Sequence, residues 1–285
     1  MNNFHSKPNT FVNHVHLKVG NLSRSLEFYQ NLMGFQILNQ SGNQAVLTAN
    51  GIMPLLTIEQ PEDIVPKQKR TTGLYHYALL LPTRKELGKL TTQLLTAQYP
   101  LQGATFHGTH EALYFHDPDG NGIEVAVDTD SSTWRDRTGK LDMSKHGPMD
   151  LESVIAAAND ERWDGIPEGT IIGHIHLHVS NLDKAKEFYH EGLGFDIEMD
   201  IPDQAVFFSS GGYHHHIGTN VWNGKDAPKS VSNSVGMLSY TLVIRNVETR
   251  RVIVGNLEEM GYLVTEEKGE FFTEDPSGNR IQLYC

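Results

Sequence analysis

The stretch that decides the fold runs from Tyr114 to Val127 and reads Y-F-H-D-P-D-G-N-G-I-E-V-A-V. Its apolar flanks predict two strands, and the proline, glycines and asparagine between them predict a tight turn. The second strand is apolar except for Glu124, and an acid buried in a strand is costly unless it is paired or binds a cation. The segment recurs near the C-terminus, where residues 271–284 read F-F-T-E-D-P-S-G-N-R-I-Q-L-Y and Gln282 takes the place of Glu124. The chain is therefore built from repeats.

The openings of the repeats match one another as their ends do. Residues 14–22 read H-V-H-L-K-V-G-N-L and residues 174–182 read H-I-H-L-H-V-S-N-L, each an alternating strand that leads into a helix. Two more copies begin at Gly73 and Gly236, which makes four βαβββ repeats. A single repeat leaves one face of its sheet open and must pair with another to cover it. The sequence thus predicts an α+β fold in which the repeats pair into two curved mixed-sheet modules, whose concave faces can hold a small ligand or a metal.

Along the chain, the sequence predicts three parts. Residues 1–128 hold the first pair of repeats, residues 170–285 hold the second pair, and residues 129–169 form a polar connector with one short amphipathic helix, which we expect to dock on the repeats. Local signals also mark where helices begin. Ser23 and Thr83 are predicted to cap the helices of the first and second repeats.

Composition argues against several classes of function. A formal net charge of −12 over 285 residues, with no run rich in Lys or Arg, argues against a surface for nucleic acid or for an anionic membrane. The N-terminus lacks the apolar core of a signal peptide, and no apolar run is long enough to cross a bilayer. The single cysteine, Cys285, fits a reducing compartment. We therefore expect a cytoplasmic protein.

The strand openings and the D-P-[DS]-G-N-x-I-[EQ] endings resemble the vicinal oxygen chelate superfamily. This superfamily includes glyoxalase I, fosfomycin-resistance proteins, bleomycin-binding proteins and extradiol ring-cleaving dioxygenases. The resemblance covers almost the whole chain outside residues 129–169, and it is strongest to the bacterial catechol 2,3-dioxygenases. It implies that a divalent metal is bound by side chains on the first and last strands of paired repeats.

At those strand positions, the resemblance implies a metal site built around the second repeat. This repeat supplies His76 from its first strand and Glu124 from its last, whereas the fourth repeat has Ser239 and Gln282 at the corresponding places. Two histidines and one carboxylate leave coordination positions open, as in the non-haem Fe(II) oxygenases. His76 and Glu124 are thus two of three expected ligands.

The third ligand has two candidates. His14 supplies it if the first and second repeats pair, and His174 supplies it if the second and third repeats pair. The resemblance favours His174, because the third repeat carries the family's H-H-x-[LIG] pattern in Y-H-H-H-I-G at residues 213–218. The second repeat carries the family's tyrosine, Tyr114, ten residues before Glu124. Under this pairing, His14 is a buried core histidine.

The resemblance also assigns roles around the metal. His216 is the candidate for proton transfer, with His214 as the second choice, since a histidine titrates near neutral pH. Tyr114 is expected to donate a hydrogen bond to a substrate oxygen. His107 and His110, which precede Tyr114, are candidates for contacts to the substrate or to the metal ligands.

The expected function is that of an extradiol (meta-cleaving) dioxygenase, which opens a catechol-type aromatic diol with O2 at a mononuclear Fe(II) site. Mn(II) fits the same ligand set. Two other classes stay open: a metal-dependent glyoxalase-type isomerase or thiol transferase, and a drug-binding protein without catalysis. The isomerase class usually needs a fourth protein ligand, and the positions near Leu56 and Gly218 offer none. The expected partners are a small aromatic diol and O2, and self-association is common in the superfamily.

Overall fold

Each of the four repeats folds as one strand, one helix and three further strands. The structure is a computed structural model that describes residues 3–285. The first repeat contains β1 (Phe11–Lys18), α1 (Leu22–Glu27), β2 (Gln36–Ser41), β3 (Gln44–Thr48) and β4 (Pro54–Glu59). The second contains β5 (Gly73–Leu80), α2 (Arg84–Thr96), β6 (Leu101–Phe106), β7 (His110–His116) and β8 (Gly122–Asp128).

The connector and the other two repeats complete the chain. The connector contains β9 (Gly147–Pro148) and α3 (Leu151–Ala156). The third repeat contains β10 (Ile171–His178), α4 (Leu182–Lys186), β11 (Asp196–Ile201), β12 (Ala205–Ser209) and β13 (Ile217–Asn220). The fourth contains β14 (Gly236–Val243), α5 (Val247–Glu259), β15 (Val264–Glu267), β16 (Glu270–Glu274) and β17 (Arg280–Tyr284).

Helix starts follow local capping. The hydroxyl of Thr83 accepts a hydrogen bond from the backbone N–H of Glu86 at 3.3 Å, so this predicted cap of α2 is confirmed. The cap of α1 is Asn21, whose Oδ1 accepts from the N–H of Arg24 at 2.8 Å. The prediction of Ser23 was wrong, because Ser23 already lies inside α1. Within residues 3–285, no helix is both long enough and apolar enough to span a membrane.

The strands form two mixed sheets. One sheet has nine strands in the order β11-β12-β13-β10-β5-β8-β7-β6-β9, and the other has eight in the order β15-β16-β17-β14-β1-β4-β3-β2. The second and third repeats therefore share one sheet, while the first and fourth share the other. This confirms the α+β class with two mixed-sheet modules. The division of the chain into residues 1–128, 129–169 and 170–285 stays a prediction, and each sheet takes strands from both sides of it.

The density of contacts divides the described chain into two compact units. One unit comprises the chain up to Lys18 together with residues 63–75 and 174–285. The other comprises residues 19–62 and 76–173. Each unit has a fully buried tyrosine pair in its core, Tyr189 and Tyr240 in the first and Tyr29 and Tyr77 in the second.

The D-P-x-G-N turn of the second repeat is held by a buried aspartate. Asp117 Oδ1 accepts hydrogen bonds from the backbone N–H groups of Asp119 and Asn121 at 2.9 and 2.8 Å. Its Oδ2 accepts from the hydroxyl of Tyr29 at 3.1 Å and from Nδ2 of Asn121 at 2.9 Å. The hydroxyl of Tyr77 lies 3.1 Å from that of Tyr29. In the other unit, the same network is formed by Asp275, Ser277, Asn279, Tyr189 and Tyr240.

Replacing Asp117 with asparagine should lower the free energy of unfolding by about 2–4 kcal/mol, because one acceptor oxygen becomes an amide that faces two donors in a buried site. Urea unfolding would measure the change. The control is Asp183→Asn, whose side chain is 88% exposed and whose replacement should cost less than about 0.5 kcal/mol. An equal cost for the two variants would show that the aspartate does not hold the turn.

The difference between wild type and Asp117→Asn should also depend on pH. Burial raises the pKa of the Asp117 carboxyl above its ordinary value, with the hydrogen bonds opposing that rise. The raised pKa contributes fully to the free energy of unfolding at a pH below the ordinary pKa of an aspartate, where the carboxyl is protonated. This contribution is lost as the pH rises through the raised value, because the ionised form must then be buried. The advantage of wild type should therefore shrink on going from acid to neutral pH.

The connector docks on the second repeat, as its amphipathic helix predicted. Gly88 in α2 lies against α3, and a Cβ there would collide with the carbonyl oxygen of Val154. Arg84 forms a bidentate pair with Glu111 at 2.6 and 2.9 Å and donates to the carbonyl of Ser153 at 2.9 Å. Strand β9 pairs with β6. The connector thus extends the fold of the second repeat.

Candidate metal centre

Two of the predicted ligands lie on neighbouring strands of the nine-stranded sheet. Strands β5 and β8 run parallel, with His76 opposite Gly122 and Ala78 opposite Glu124. Because residues two apart on a strand point to the same face, His76 and Glu124 meet there. The Nε2 of His76 lies 3.0 Å from Oε2 of Glu124. Both residues are buried, with 6% and 1% of their surface exposed.

His174 completes the group. It lies on β10, the neighbour of β5 in the strand order, and it is 2% exposed. One ligand atom from each of His76, Glu124 and His174 lies within 4.8 Å of the other two. Two imidazole nitrogens and one carboxylate oxygen are ligands that divalent iron, manganese and zinc accept. A carboxylate buried among imidazoles is also a site where a cation offsets the cost of burial. The residues therefore fit a bound divalent metal.

The alternative ligand, His14, is not a member of this group. It lies on β1, opposite Thr241 of β14 in the eight-stranded sheet. Burial, with a smaller effect from His16, lowers its pKa from 6.5 to about 4, so the ring is neutral. Gln282, which replaces the glutamate in this sheet, accepts a hydrogen bond from the hydroxyl of Thr241 at 2.7 Å. Where the nine-stranded sheet has the carboxylate of Glu124, the eight-stranded sheet therefore has an amide that is hydrogen-bonded to a hydroxyl.

The other three candidates, Tyr114, His107 and His110, lie on or next to β7, the strand that pairs with the strand of Glu124. Tyr114 stands opposite Glu124 in the antiparallel register of β7 and β8. Its hydroxyl lies 2.8 Å from Nε2 of His107, and the rings of His107 and His110 are stacked with centroids 4.5 Å apart. The Nε2 of His110 lies 3.2 Å from Oε1 of Glu124. The fold therefore places one histidine against the carboxylate and another against the tyrosine.

The connector adds a histidine that the sequence did not single out. His146 precedes β9, and its ring makes an edge contact with that of His107 at 5.1 Å. Pairing of β9 with β6, in which Gly147 stands opposite Phe106, brings it there. His146 lies outside the four repeats, so no repeat position gave a signal for it.

The run of three histidines in the third repeat points in different directions. The ring of His215 lies 4.0 Å from that of His174, centroid to centroid, while the ring of His214 is 6.2 Å away. The Nδ1 atoms of His214 and His215 are 2.8 Å apart. His216 instead points at the N-terminal segment, and its Nε2 lies 3.2 Å from the carbonyl oxygen of Phe4.

The proton-transfer role that the sequence gave to His216 stays a prediction, and the structure surrounds this ring with the N-terminal segment. A histidine in that role must reach the substrate and change its charge near the working pH. His216 is fully buried, and this burial lowers its pKa well below the ordinary value. His215 is the member of the run that lies against a metal-ligand candidate. The run of three histidines in the sequence pointed to this loop, but it did not show which of the three side chains lies against His174.

An aromatic wall continues from His174 along β10. His176 shares the face of His174 and lies over Gly218 of β13, where a Cβ would come within 3.0 Å of the imidazole. The missing side chain of Gly218 therefore makes room for this ring. The rings that surround His176, with centroids 5.1–5.5 Å away, are those of Phe207, Trp222 and Tyr75. We name these four residues the aromatic wall.

Comparison with known proteins agrees with this fold. The family described as Glyoxalase/Bleomycin resistance protein/Dioxygenase superfamily matches residues 11–125 and 171–283, and the chain belongs to it. It is 44% identical over 270 residues to Catechol-2,3-dioxygenase of Bacillus subtilis (strain 168), with 94% of each chain covered. It is 24% identical over 120 residues to Metallothiol transferase FosB of Lysinibacillus sphaericus (strain C3-41), covering 41% of this chain and 82% of that one. The solved structure of glyoxalase I from Zea mays shares the fold, with a TM-score of 0.60 at 16% identity over 96% of this chain and 92% of that one.

Proposed function

We propose that this chain is an extradiol ring-cleaving dioxygenase, which opens a catechol-type aromatic diol with O2 at a single Fe(II). The observation that carries the proposal is the buried group of His76, Glu124 and His174, with ligand atoms within 4.8 Å of one another. Two histidines and one carboxylate are the protein ligands of non-haem Fe(II) oxygenases. The 44% identity to a bacterial catechol-2,3-dioxygenase extends over 94% of the chain, whereas the thiol-transferase relative matches 41% of it.

The metal and the side chains have different roles in this proposal. Fe(II), when bound by the three ligands, supplies Lewis acidity for the adjacent diol oxygens and electron transfer to O2. The ring bond next to the diol breaks and both oxygen atoms of O2 enter the product. From catechol, this product is 2-hydroxymuconic semialdehyde. Three protein ligands leave room for both oxygens of the diol.

Proton transfer falls to His215 in this proposal. Its ring lies against His174, at a centroid distance of 4.0 Å, so a diol bound at the metal lies within its reach. Tyr114 donates a hydrogen bond to a diol oxygen, and His107, 2.8 Å from the tyrosine hydroxyl, orients it. His110 orients the carboxylate of Glu124 at 3.2 Å.

The aromatic wall suits a planar aromatic substrate. Its side chains present π-faces and ring edges, which favour offset or edge-to-face contact with an aromatic ring. The wall extends from the buried His176 to Trp222, which is 52% exposed. A diol at the metal can therefore place its ring against a continuous aromatic surface.

The experiment that tests the function is reconstitution of metal-free protein under anaerobic conditions. Protein loaded with Fe(II) should retain the metal and turn catechol in air into a yellow ring-fission product, which is followed by absorbance. Protein loaded with Zn(II), which accepts the same ligands without redox chemistry, is the control and should give no product. Mn(II) loading tests the other metal that suits these ligands. If the protein retains iron but consumes none of the three diols catechol, 4-methylcatechol and 2,3-dihydroxybiphenyl, the proposed function is wrong.

A further inference from the structure

We propose that His216 is a positioning residue, which fastens the N-terminal segment (residues 3–10) to the loop of residues 210–216 and so holds His215 in place. The inference rests on the proposed function, because His215 is the residue that the loop presents to the metal ligands. It gives a role to the third histidine of the run and to the residues that precede β1.

The ring of His216 bridges two backbone groups. Its Nδ1 accepts a hydrogen bond from the backbone N–H of Ser210 at 3.3 Å, and its Nε2–H donates to the carbonyl oxygen of Phe4 at 3.2 Å. The imidazole has one acceptor and one donor on well-separated ring atoms, which is what this bridge requires. Burial favours the neutral ring, and the two partners select its Nε2–H tautomer. The ring of His216 therefore links the backbone of the loop to the backbone of the N-terminal segment in one defined orientation.

The N-terminal segment fits the loop at further points. The backbone N–H of Thr10 donates to the hydroxyl of Ser210 at 3.2 Å. Asn9 lies directly over Gly211, where a Cβ would collide with the asparagine side chain, and its Nδ2 donates to the carbonyl of Phe4 at 3.4 Å. Gly211 also has a φ of +68°, in the left-handed region that favours glycine. The segment and the loop are therefore complementary in shape and in hydrogen bonding.

Aromatic contacts extend this fit. The ring of His5 packs edge-on against Tyr213 at 4.6 Å and against His216 at 5.0 Å. Phe4 lies 5.2 Å from Tyr213, which is fully buried. A buried tyrosine at the start of the histidine run is thus covered by the first described side chains of the protein.

The loop needs such a link because its histidines lie between two strands. It leaves β12 after Ser209 and enters β13 at Ile217, so the side chains of His214 and His215 receive no support from the alternation within a strand. The backbone of His216 is tied to Phe208 by its N–H at 2.8 Å and to Ile175 by its carbonyl at 3.1 Å. The side chain of His216 adds a third attachment, one residue away from His215.

The test compares three substitutions of His216 with a matched control. His216→Gln keeps a donor at the position of Nε2, His216→Asn keeps an acceptor at the position of Nδ1, and His216→Leu keeps neither. The control is His190→Gln, since His190 also donates to a backbone carbonyl, that of Phe195 at 2.5 Å, but lies outside the loop. Each variant is loaded with Fe(II), and kcat per bound iron, KM and iron content are measured with catechol.

A displacement of about 1 Å in a reacting group costs about 100-fold in rate, so His216→Leu should lose about 10- to 100-fold in kcat per bound iron. Iron content should be unchanged, His216→Gln and His216→Asn should retain intermediate rates, and the control should match wild type. A variant that is merely less stable would lose active protein but keep its kcat per bound iron. Wild-type kcat in folded, iron-loaded His216→Leu would overturn the inference. If wild type itself cleaves no diol, the proposed function fails instead.

Two milder variants carry the test if His216→Leu does not fold. Asn9→Ala removes the side chain over Gly211, and Ser210→Ala removes the acceptor for Thr10 N–H. Both sites lie away from the metal ligands, and both variants should lower kcat per bound iron without a change in iron content. Unchanged kcat in both would overturn the inference.

Discussion

Glu124→Gln should abolish stable iron binding and, with it, ring cleavage. The substitution keeps the size of the side chain but removes the one anionic ligand of the group formed with His76 and His174. Loss of a residue that only orients a ligand costs about 10–100-fold in metal affinity or activity, so loss of the carboxylate itself should exceed about 100-fold. Iron content after desalting and the rate of formation of the ring-fission product would measure both effects.

The control for Glu124→Gln is Glu267→Gln. Glu267 is also a strand residue with a charged partner, Arg280 at 2.7 Å, but it is exposed and belongs to the fourth repeat. Its replacement should leave iron content and turnover unchanged, because an exposed ion pair contributes little to stability. Far-ultraviolet circular dichroism should show both variants folded. Full activity in folded Glu124→Gln would contradict the proposed ligand set.

His215→Phe should have the second largest effect, and it should lower kcat without lowering iron content. The substitution keeps an aromatic ring beside those of His174 and Phe207, whose centroids lie 4.0 and 5.1 Å from that of the imidazole, but removes the group proposed to transfer protons. Proton transfer by a positioned side chain contributes about 100- to 10,000-fold in rate, and kcat should fall within that range. Iron content should equal that of wild type, and KM for catechol should change little.

His214→Phe provides the comparison for His215→Phe. Both positions are buried members of the same loop, so disturbance of packing is similar in the two variants. Since the ring of His214 lies 6.2 Å from His174, its replacement should lower kcat less than that of His215. If His214→Phe proves the more damaging of the two, the proton-transfer role belongs to His214, the second choice from the sequence.

The two predictions separate binding from turnover. Loss of iron together with loss of turnover is the signature expected at Glu124, and loss of turnover with iron retained is the signature expected at His215. The variants of His216 should resemble those of His215 in kind but with a smaller effect. This ordering would distinguish the part of His215 from that of His216.

Features set by neighbours in the chain could be predicted from the sequence. The four repeats, the D-P-x-G-N turns and the cap at Thr83 rest on contacts a few residues apart, such as the bond from Glu86 N–H to Thr83 at 3.3 Å. Even here, a choice between close neighbours was wrong, since Asn21 and not Ser23 caps α1. Both residue types can accept the capping bond, and the backbone conformation at Asn21 decided between them.

The resemblance to the superfamily predicted His76 and Glu124 as partners, and in the structure the first and last strands of their repeat lie side by side in parallel register. The choice between His14 and His174 depended on which repeats share a sheet, and the resemblance favoured His174 without fixing that pairing. The strand order placed β10 beside β5, and only then did His174 become the third member of the group.

The tertiary structure also set the side-chain directions of the three histidines of the run and placed His146 beside His107. Strand alternation predicts side-chain directions within a strand, but residues 210–216 lie between strands and contain the left-handed Gly211 and Gly212. Their directions are set by the N-terminal segment on one side and by β10 on the other, some 200 and 40 residues away in the chain. The sequence by itself determined the repeats and the fold, because those follow from local pattern. The proximity of His174 to His76 and Glu124, and the side-chain directions in residues 210–216, follow from contacts that form only when distant segments come together.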